Sequence, residues 1–485
     1  MVSEVLERSL VSHFLDSQKN QLIIYSGTFI LLVSYLVCVA LQWEFFFFLF
    51  LFTLIVMITA IIKFDAALLF IPLTLANPYV LKETGTKLNL LELVLIIIFA
   101  VWVCRIILSK QQLVFPQIFL LTSFIIIATA VLSLLAAHDL ETGIKQIIRY
   151  IEILVLFFML VVNNFKDKQR MKQVFLFLMV GGLIASCVGL AEFINDTMEL
   201  RRTARVYGLG SGYAPIIAST LVLSISTLTY KGQKATRILA FITIPIAGLA
   251  LLVSQTRTWI GALFIVLGYL FFWRKRKNKL KIVIISGIVV CFLILIVLLL
   301  DVMGFIKSKY ILGAIAGALR FGETQNVHSM NDASLLLRFG AWGKAIMLYL
   351  KHPFLGIGVG NFRIDYTTLK LANAGDRIGY VDSQYIQGFT EAGTIAGIAW
   401  IVFVILALKV GIRSIRQSVS SDLYVPAVGF YGSLLVLVVG GFFWVITPVH
   451  DLFCLMILDI GLLINILKLS PPNEQKQDVG YLHNF

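Results

Sequence analysis

Residues 45–62 read FFFFLFLFTLIVMITAII, an unbroken apolar run without a charge. At about 1.5 Å per residue such a helix crosses most of the roughly 30 Å hydrocarbon core of a bilayer. The same texture recurs outward in both directions. Runs of comparable length lie near 22–42, 66–81, 90–108, 116–136, 143–163, 173–194, 212–230, 237–253, 258–273, 282–300, 386–408, 423–444 and 450–468. With 59% hydrophobic and 14% charged residues, the 485-residue chain is excluded from the soluble classes, which carry roughly 25% charge. The expected fold is all-α: a polytopic transmembrane helix bundle of about 12–14 helices, with one large external loop containing amphipathic helices.

The formal charge of +14 comes from 40 Lys+Arg against 26 Asp+Glu. Basic runs recur in alternate connections: Lys166/Lys168/Arg170/Lys172, Lys231/Lys234/Arg237, residues 274–281, and Lys409/Arg413/Arg416. By the positive-inside rule these connections and both termini are cytoplasmic, so the charge reports topology and not nucleic-acid binding. The apolar run after residue 21 is too long for a signal-peptide core and reads as an uncleaved first span. The chain divides into a cytoplasmic tail (1–21), a bundle of about eleven helices (22–300), an external loop (301–383), about three more helices (384–468) and a cytoplasmic tail (469–485). Cys38, Cys104, Cys187, Cys291 and Cys454 all fall in apolar spans without metal-ligand spacing, and are expected to pack as small hydrophobes.

The same topology leaves Arg201, Arg202, Arg205 and Arg257 outside, together with Arg320, His328, Arg338, Arg363 and Arg377 of the large loop. Arginine's planar fork suits phosphate oxygens, so arginines gathered at the outer surface suit a pyrophosphate headgroup. Arg257 stands in SQTRTW (254–259) between two spans; the alternative for it is an interfacial arginine snorkelling beside Trp259. Residues 207–215 (YGLGSGYAP) form a glycine-rich approach to the next helix. In the loop, SLLLRFGAWGKAIMLY (334–349) places Leu335, Phe339, Trp342, Ile346 and Tyr349 at helical spacing, the pattern of an amphipathic helix. After His352-Pro353, glycines 356, 358 and 360 prohibit regular helix and would let backbone N–H groups approach a ligand. Asp382 precedes a helix start, as an N-cap or as a base toward an acceptor sugar hydroxyl. Glu391 lies about two turns deeper, and an intramembrane carboxylate is a functional candidate. His450 and Asp451 mark the final external turn. No metal-binding or nucleotide motif accompanies these residues, so no metal or cofactor is expected.

The ordered set SQTRTWIGALFIVL, Arg338-x3-Trp342-x-Lys344-Ala345, KHPFLGIGVGNF and DSQYIQGFTEAGTIAGI, over roughly 250–400, resembles the O-antigen ligase and polymerase family of bacterial membrane glycosyltransferases. The resemblance implies action at the outer face of the inner membrane on an undecaprenyl-pyrophosphate-linked glycan. The acceptor would be another glycan for a polymerase or lipid A core for a ligase. It implies Arg257 and Arg338 as pyrophosphate stabilisers, with Arg205 and Arg320 as further contacts; His352, by its place before Pro353, is a further candidate pyrophosphate contact, and Asp382 and Glu391 are the candidate bases that the residues themselves offer. Where ligases of the family carry a His-Asn pair, this chain reads Asp382-Ser383, and about fourteen spans exceed the ligases' twelve. Both differences favour a polymerase. A lipid-linked sugar transporter or flippase, which would bind the same headgroup without chemistry, and a noncatalytic scaffold are the alternatives from other classes.

Overall fold

A computed structural model describes residues 44–75, 90–109, 112–198, 214–230, 234–254, 256–272, 333–362 and 381–470. The expected spans at 22–42 and 282–300, and the end of that at 66–81, lie outside the described residues. Those described contain fifteen α-helices and no strand. They are α1 (Glu44–Ile62), α2 (Phe64–Ala67), α3 (Phe70–Thr74), α4 (Leu90–Ser109), α5 (Gln117–Ser133), α6 (Leu140–Ile151), α7 (Phe158–Asn164) and α8 (Lys168–Met198). They continue with α9 (Ala214–Thr229), α10 (Lys234–Val253), α11 (Arg257–Phe272), α12 (Ala333–Lys351), α13 (Gln384–Ser418), α14 (Tyr424–Gly440) and α15 (His450–Leu469). Seven described segments are long and apolar enough to cross a membrane, and the chain is a multi-pass membrane protein.

Burial follows the logic of a lipid solvent. Ile62, Leu108, Leu135 and Phe124 are largely exposed, while one apolar cluster joins the helices of the bundle and a second, smaller one of Ala345, Leu348, Ile357, Phe362 and Val381 seats α12. Helices approach closely where one side offers a small residue. Gly182 faces Thr220, Gly432 faces Val222 and Gly461 faces Val161, each so close that an added methyl would overlap its neighbour. An aromatic seam of Phe119, Tyr150, Trp400, Phe403 and Phe453 ties α5, α6, α13 and α15 together through edge and tilted contacts. Polar groups inside find partners across helices: Ser433 donates to Asp459 at 2.6 Å, Asn465 to the Val161 carbonyl and Ser414 to that of Leu463.

Three of the expected spans are irregular. The region after Lys63 breaks into α2 and α3, where Pro72 stands in the short second piece. Between α6 and α7 the chain widens to a π-helical stretch, Glu152–Phe157. α13 is longer still: 35 residues rise about 52 Å, well beyond a hydrocarbon core of roughly 30 Å. It also breaks at Gly393, whose φ of 82° and ψ of −176° interrupt the helix.

The bundle has two chemically different ends. One gathers Asp65, Lys166, Arg170, Lys172, Asp422 and Lys468, with ion pairs Arg170–Asp65 and Lys172–Asp422. The other carries the junction before α6, the start of α11, all of α12, the glycine turn after it and the start of α13. It is closed by the turn between α14 and α15, where Arg149 donates to the Pro448 carbonyl.

Candidate functional site

α12 lies alongside the first turns of α13 and runs parallel to it. Arg338 meets Asp382, Thr390 donates to the Ala345 carbonyl, and Tyr349 meets Thr394. The apolar stripe read from sequence is only partly the packed one. Ala341, Ala345 and Leu348 are buried, whereas Phe339 and Ile346 are about half exposed. Small residues let the two helices approach, and the bulky ones turn outward. Trp342 follows the expectation, packing against Phe443.

Arg338 joins three segments distant in sequence. Its Nη1 donates to Thr258 Oγ1 at 3.1 Å, and its Nε lies 3.5 Å from Asp382 Oδ2. Thr258 follows Arg257, the first residue of α11, so the two arginines implied by the family resemblance start from adjacent ground. The side chain of Arg257 lies outside the described set. Trp259, in place of an interfacial belt position, is fully buried with its ring over Gly440.

Asp382 is not the N-cap. Ser383 holds that position, and Asp382 adopts a left-handed φ of 52°, a region that aspartate tolerates better than most residues. Burial raises its carboxyl above the ordinary aspartate range, and the Arg338 guanidinium acts in the opposite direction. The next residues are fixed by the α14–α15 turn: Gln384 Oε1 accepts from the backbone N–H groups of Ile446 and Thr447.

The glycine turn does something other than expected. Its amides are consumed inside the protein. Ile357 N–H donates to the Thr390 carbonyl, Gly358 N–H to that of Glu391, Val359 N–H to Ser133 Oγ, and Gly360 N–H to Glu391 Oε2 at 3.0 Å. Phe362 N–H reaches Glu391 Oε1, and Gln387 Nε2 donates to Oε2. Glu391 is thus a buried acceptor that pins the turn to α13. Asn361 fastens the other side: its Oδ1 accepts from Asp139 N–H at 2.7 Å and its Nδ2 donates to the Asp139 carbonyl. Asp139 in turn caps α6 through the N–H groups of Glu141 and Thr142. Gly393 breaks α13 where the Phe354 carbonyl presses in, and a Cβ there would stand 2.0 Å from that oxygen. The turn and the break in α13 fit each other.

His352 is exposed at the far end of α12, about 21 Å of helix from Arg338, so the structure does not bring the two together. Arg201, Arg202, Arg205, Arg320, His328, Arg363 and Arg377 lie outside the described residues. His450 does meet an acid that sequence reading left aside. Its Nε2 lies 3.3 Å from Glu152 at the start of the π-helical stretch, and its Nδ1 faces Asp451 at 3.8 Å. Cys454, one helical turn on, faces the same ring at 3.9 Å, a Cys/His contact that four-residue spacing could have suggested. Cys104, Cys187 and Cys454 are free thiols, while Cys38 and Cys291 lie outside the described residues.

No curated protein matches the chain. Residues 238–401 match the family model described as O-antigen ligase, a span that includes the Arg338–Thr258–Asp382 contact, the glycine turn and the break at Gly393. The match supports glycosyltransferase activity of the O-antigen ligase/polymerase type, on lipid-linked glycan and acceptor substrates. Over these residues, about a third of its length, the chain is similar to the O-antigen ligase family.

Proposed function

We propose that the chain is a polymerase of lipid-linked surface glycan, acting at the outer face of a bacterial inner membrane with both termini in the cytoplasm. The observation that carries this reading is the contact of Arg338 with Thr258 and Asp382, which sets a fixed cation and a carboxylate side by side at one end of the bundle. An undecaprenyl-pyrophosphate-linked donor would place its pyrophosphate at Arg338 and at Arg257, with Arg205 and Arg320 as further contacts. The acceptor hydroxyl oxygen bonds to the anomeric carbon while the bond from that carbon to the pyrophosphate oxygen breaks. The leaving group takes the electron pair and Asp382 takes the hydroxyl proton. Negative charge grows on the pyrophosphate as it leaves, and preplaced arginines lower the barrier most there. Arginines can meet that need without a metal, and the reaction is expected to run in EDTA. Glu391, already accepting three donors, serves in this reading as the anchor of the site.

A ligase is the second reading, favoured by the description of the matching family model. The test is reconstitution of the purified protein with the host's lipid-linked repeat unit, without nucleotide and with EDTA, with products resolved by gel. A ladder supports the polymerase. Transfer of a single chain only when lipid A core is added supports the ligase. Absence of product with either acceptor overturns both and brings forward the transporter and scaffold readings.

A further inference from the structure

The end of the bundle opposite Arg338 and Asp382 holds a cleft of about 290 Å³, walled by the α1–α2 junction, α4, the connection after α7 and the start of α8. Its charged groups are Asp65, Arg105, Lys166, Asp167 and Arg170. Two of these answer each other, since Arg170 is paired with Asp65 and also donates to the Asn164 carbonyl. Counted together, Arg105, Lys166 and Arg170 exceed Asp65 and Asp167 by one positive charge, and Arg105 and Lys166 are the solvent-exposed cations among them.

Arg105 is set for recognition. Its guanidinium carbon lies over the Phe64 ring, 4.8 Å from the centroid, a cation–π contact. That contact holds the guanidinium at the mouth of the cleft, and a guanidinium is the group whose planar fork phosphate oxygens match. Deeper on the same two helices the apolar surface is bare: Ile58 and Ile61 on α1 and Ile96 and Val103 on α4 are exposed. Arg105 lies within the membrane-crossing stretch Leu90–Leu108, three residues from its end. Cations at headgroup depth above apolar walls suit a ligand with a phosphate at the top and hydrocarbon beneath.

We propose that this cleft binds the phosphate of an anionic phospholipid headgroup from the leaflet facing that end, with Arg105 and Lys166 as its direct contacts. The proposal is independent of the transfer reaction at the other end. A diffuse belt of basic residues that only fixes topology would show no dependence on these two side chains in particular.

The test uses the full chain purified in detergent. Native mass spectrometry would follow titration with phosphatidylglycerol, with phosphatidylcholine as the zwitterionic control and inorganic phosphate as competitor. Retention of phosphatidylglycerol over phosphatidylcholine is expected, with about fivefold weaker retention for each of Arg105→Ala and Lys166→Ala. Arg105→Lys should recover part of the loss, and Arg413→Ala, exposed at the same end but outside the cleft, should leave binding unchanged. Melting temperatures confirm that each variant is folded. Equal retention by the Arg105→Ala/Lys166→Ala double variant, or an equal loss in Arg413→Ala, overturns the site. Displacement of the lipid by inorganic phosphate overturns the lipid as its occupant.

Discussion

Asp382 stands under two opposed influences. Burial favours its neutral form and Arg338 favours its charged form, with burial the larger. A base works only when unprotonated, so its raised pKa places the acidic limb of the rate profile above the ordinary aspartate value of about 3.9. Activity is expected to fall as pH drops through that limb. Asp382→Asn should lower turnover by roughly 10²–10⁴-fold and remove the limb. Arg338→Ala removes the influence that lowers the pKa, so the limb should move to higher pH while kcat/KM falls by roughly 10²-fold or more. Arg338→Lys keeps the charge but loses the planar fork, and should fall between the two. Rates of glycan transfer measured across pH in reconstituted vesicles check all three. An unchanged profile in Asp382→Asn would remove it as the base. Glu391 gives a contrasting expectation: with Gly360, Phe362 and Gln387 as donors, Glu391→Gln should cost about 1–3 kcal/mol of stability without moving the limb. Thermal unfolding beside the pH profile separates the two carboxylates.

Among the elements, the glycine turn and the broken α13 show where sequence reading reached and where it stopped. The spans were legible because lipid demands long uncharged runs, and among the described residues those runs are helical. Arg338, Arg257 and Asp382 stood out as charges at a membrane end, and two of their segments prove to be joined by Arg338. The turn at 356–360 was legible as irregular backbone, but the partners of its amides were not. Alternating glycines look the same whether the chain is opened toward a ligand or pressed against Ala137 and Glu391. Asp139, whose backbone binds Asn361, lies 222 residues away, and no local pattern points to it. The packed face of α12 was hidden for a similar reason, since alanines carry little apolar signal yet decide how near α13 can come. Gly393→Ala tests the fit of turn and break. The new Cβ would meet the Phe354 carbonyl and the backbone would keep a φ that alanine rarely takes, so a loss of at least about 2 kcal/mol is expected in thermal unfolding. A variant as stable as the parent would show that the two pieces can separate without cost.

At the scale of the whole molecule, the distribution of charge predicts how the bundle sits. Lys166, Lys168, Arg170, Lys172, Arg413, Arg416 and Lys468 gather at one end, while at the other Lys145, Arg149, Arg338 and Lys351 stand among Asp139, Glu141, Glu152, Asp382 and Asp451. The positive-inside rule then turns the first end to the cytoplasm and the Arg338–Asp382 contact outward. Glu141, in the first turn of α6, and Ser420, between α13 and α14, are exposed on opposite ends. In a background with the native cysteines replaced, Glu141→Cys should react with a membrane-impermeant maleimide in intact spheroplasts, whereas Ser420→Cys should react only once the membrane is opened. The reverse pattern would put Arg338 and Asp382 on the cytoplasmic side. A donor whose glycan has already crossed the membrane could not reach them there, so the proposed reaction depends on the orientation that this labelling measures.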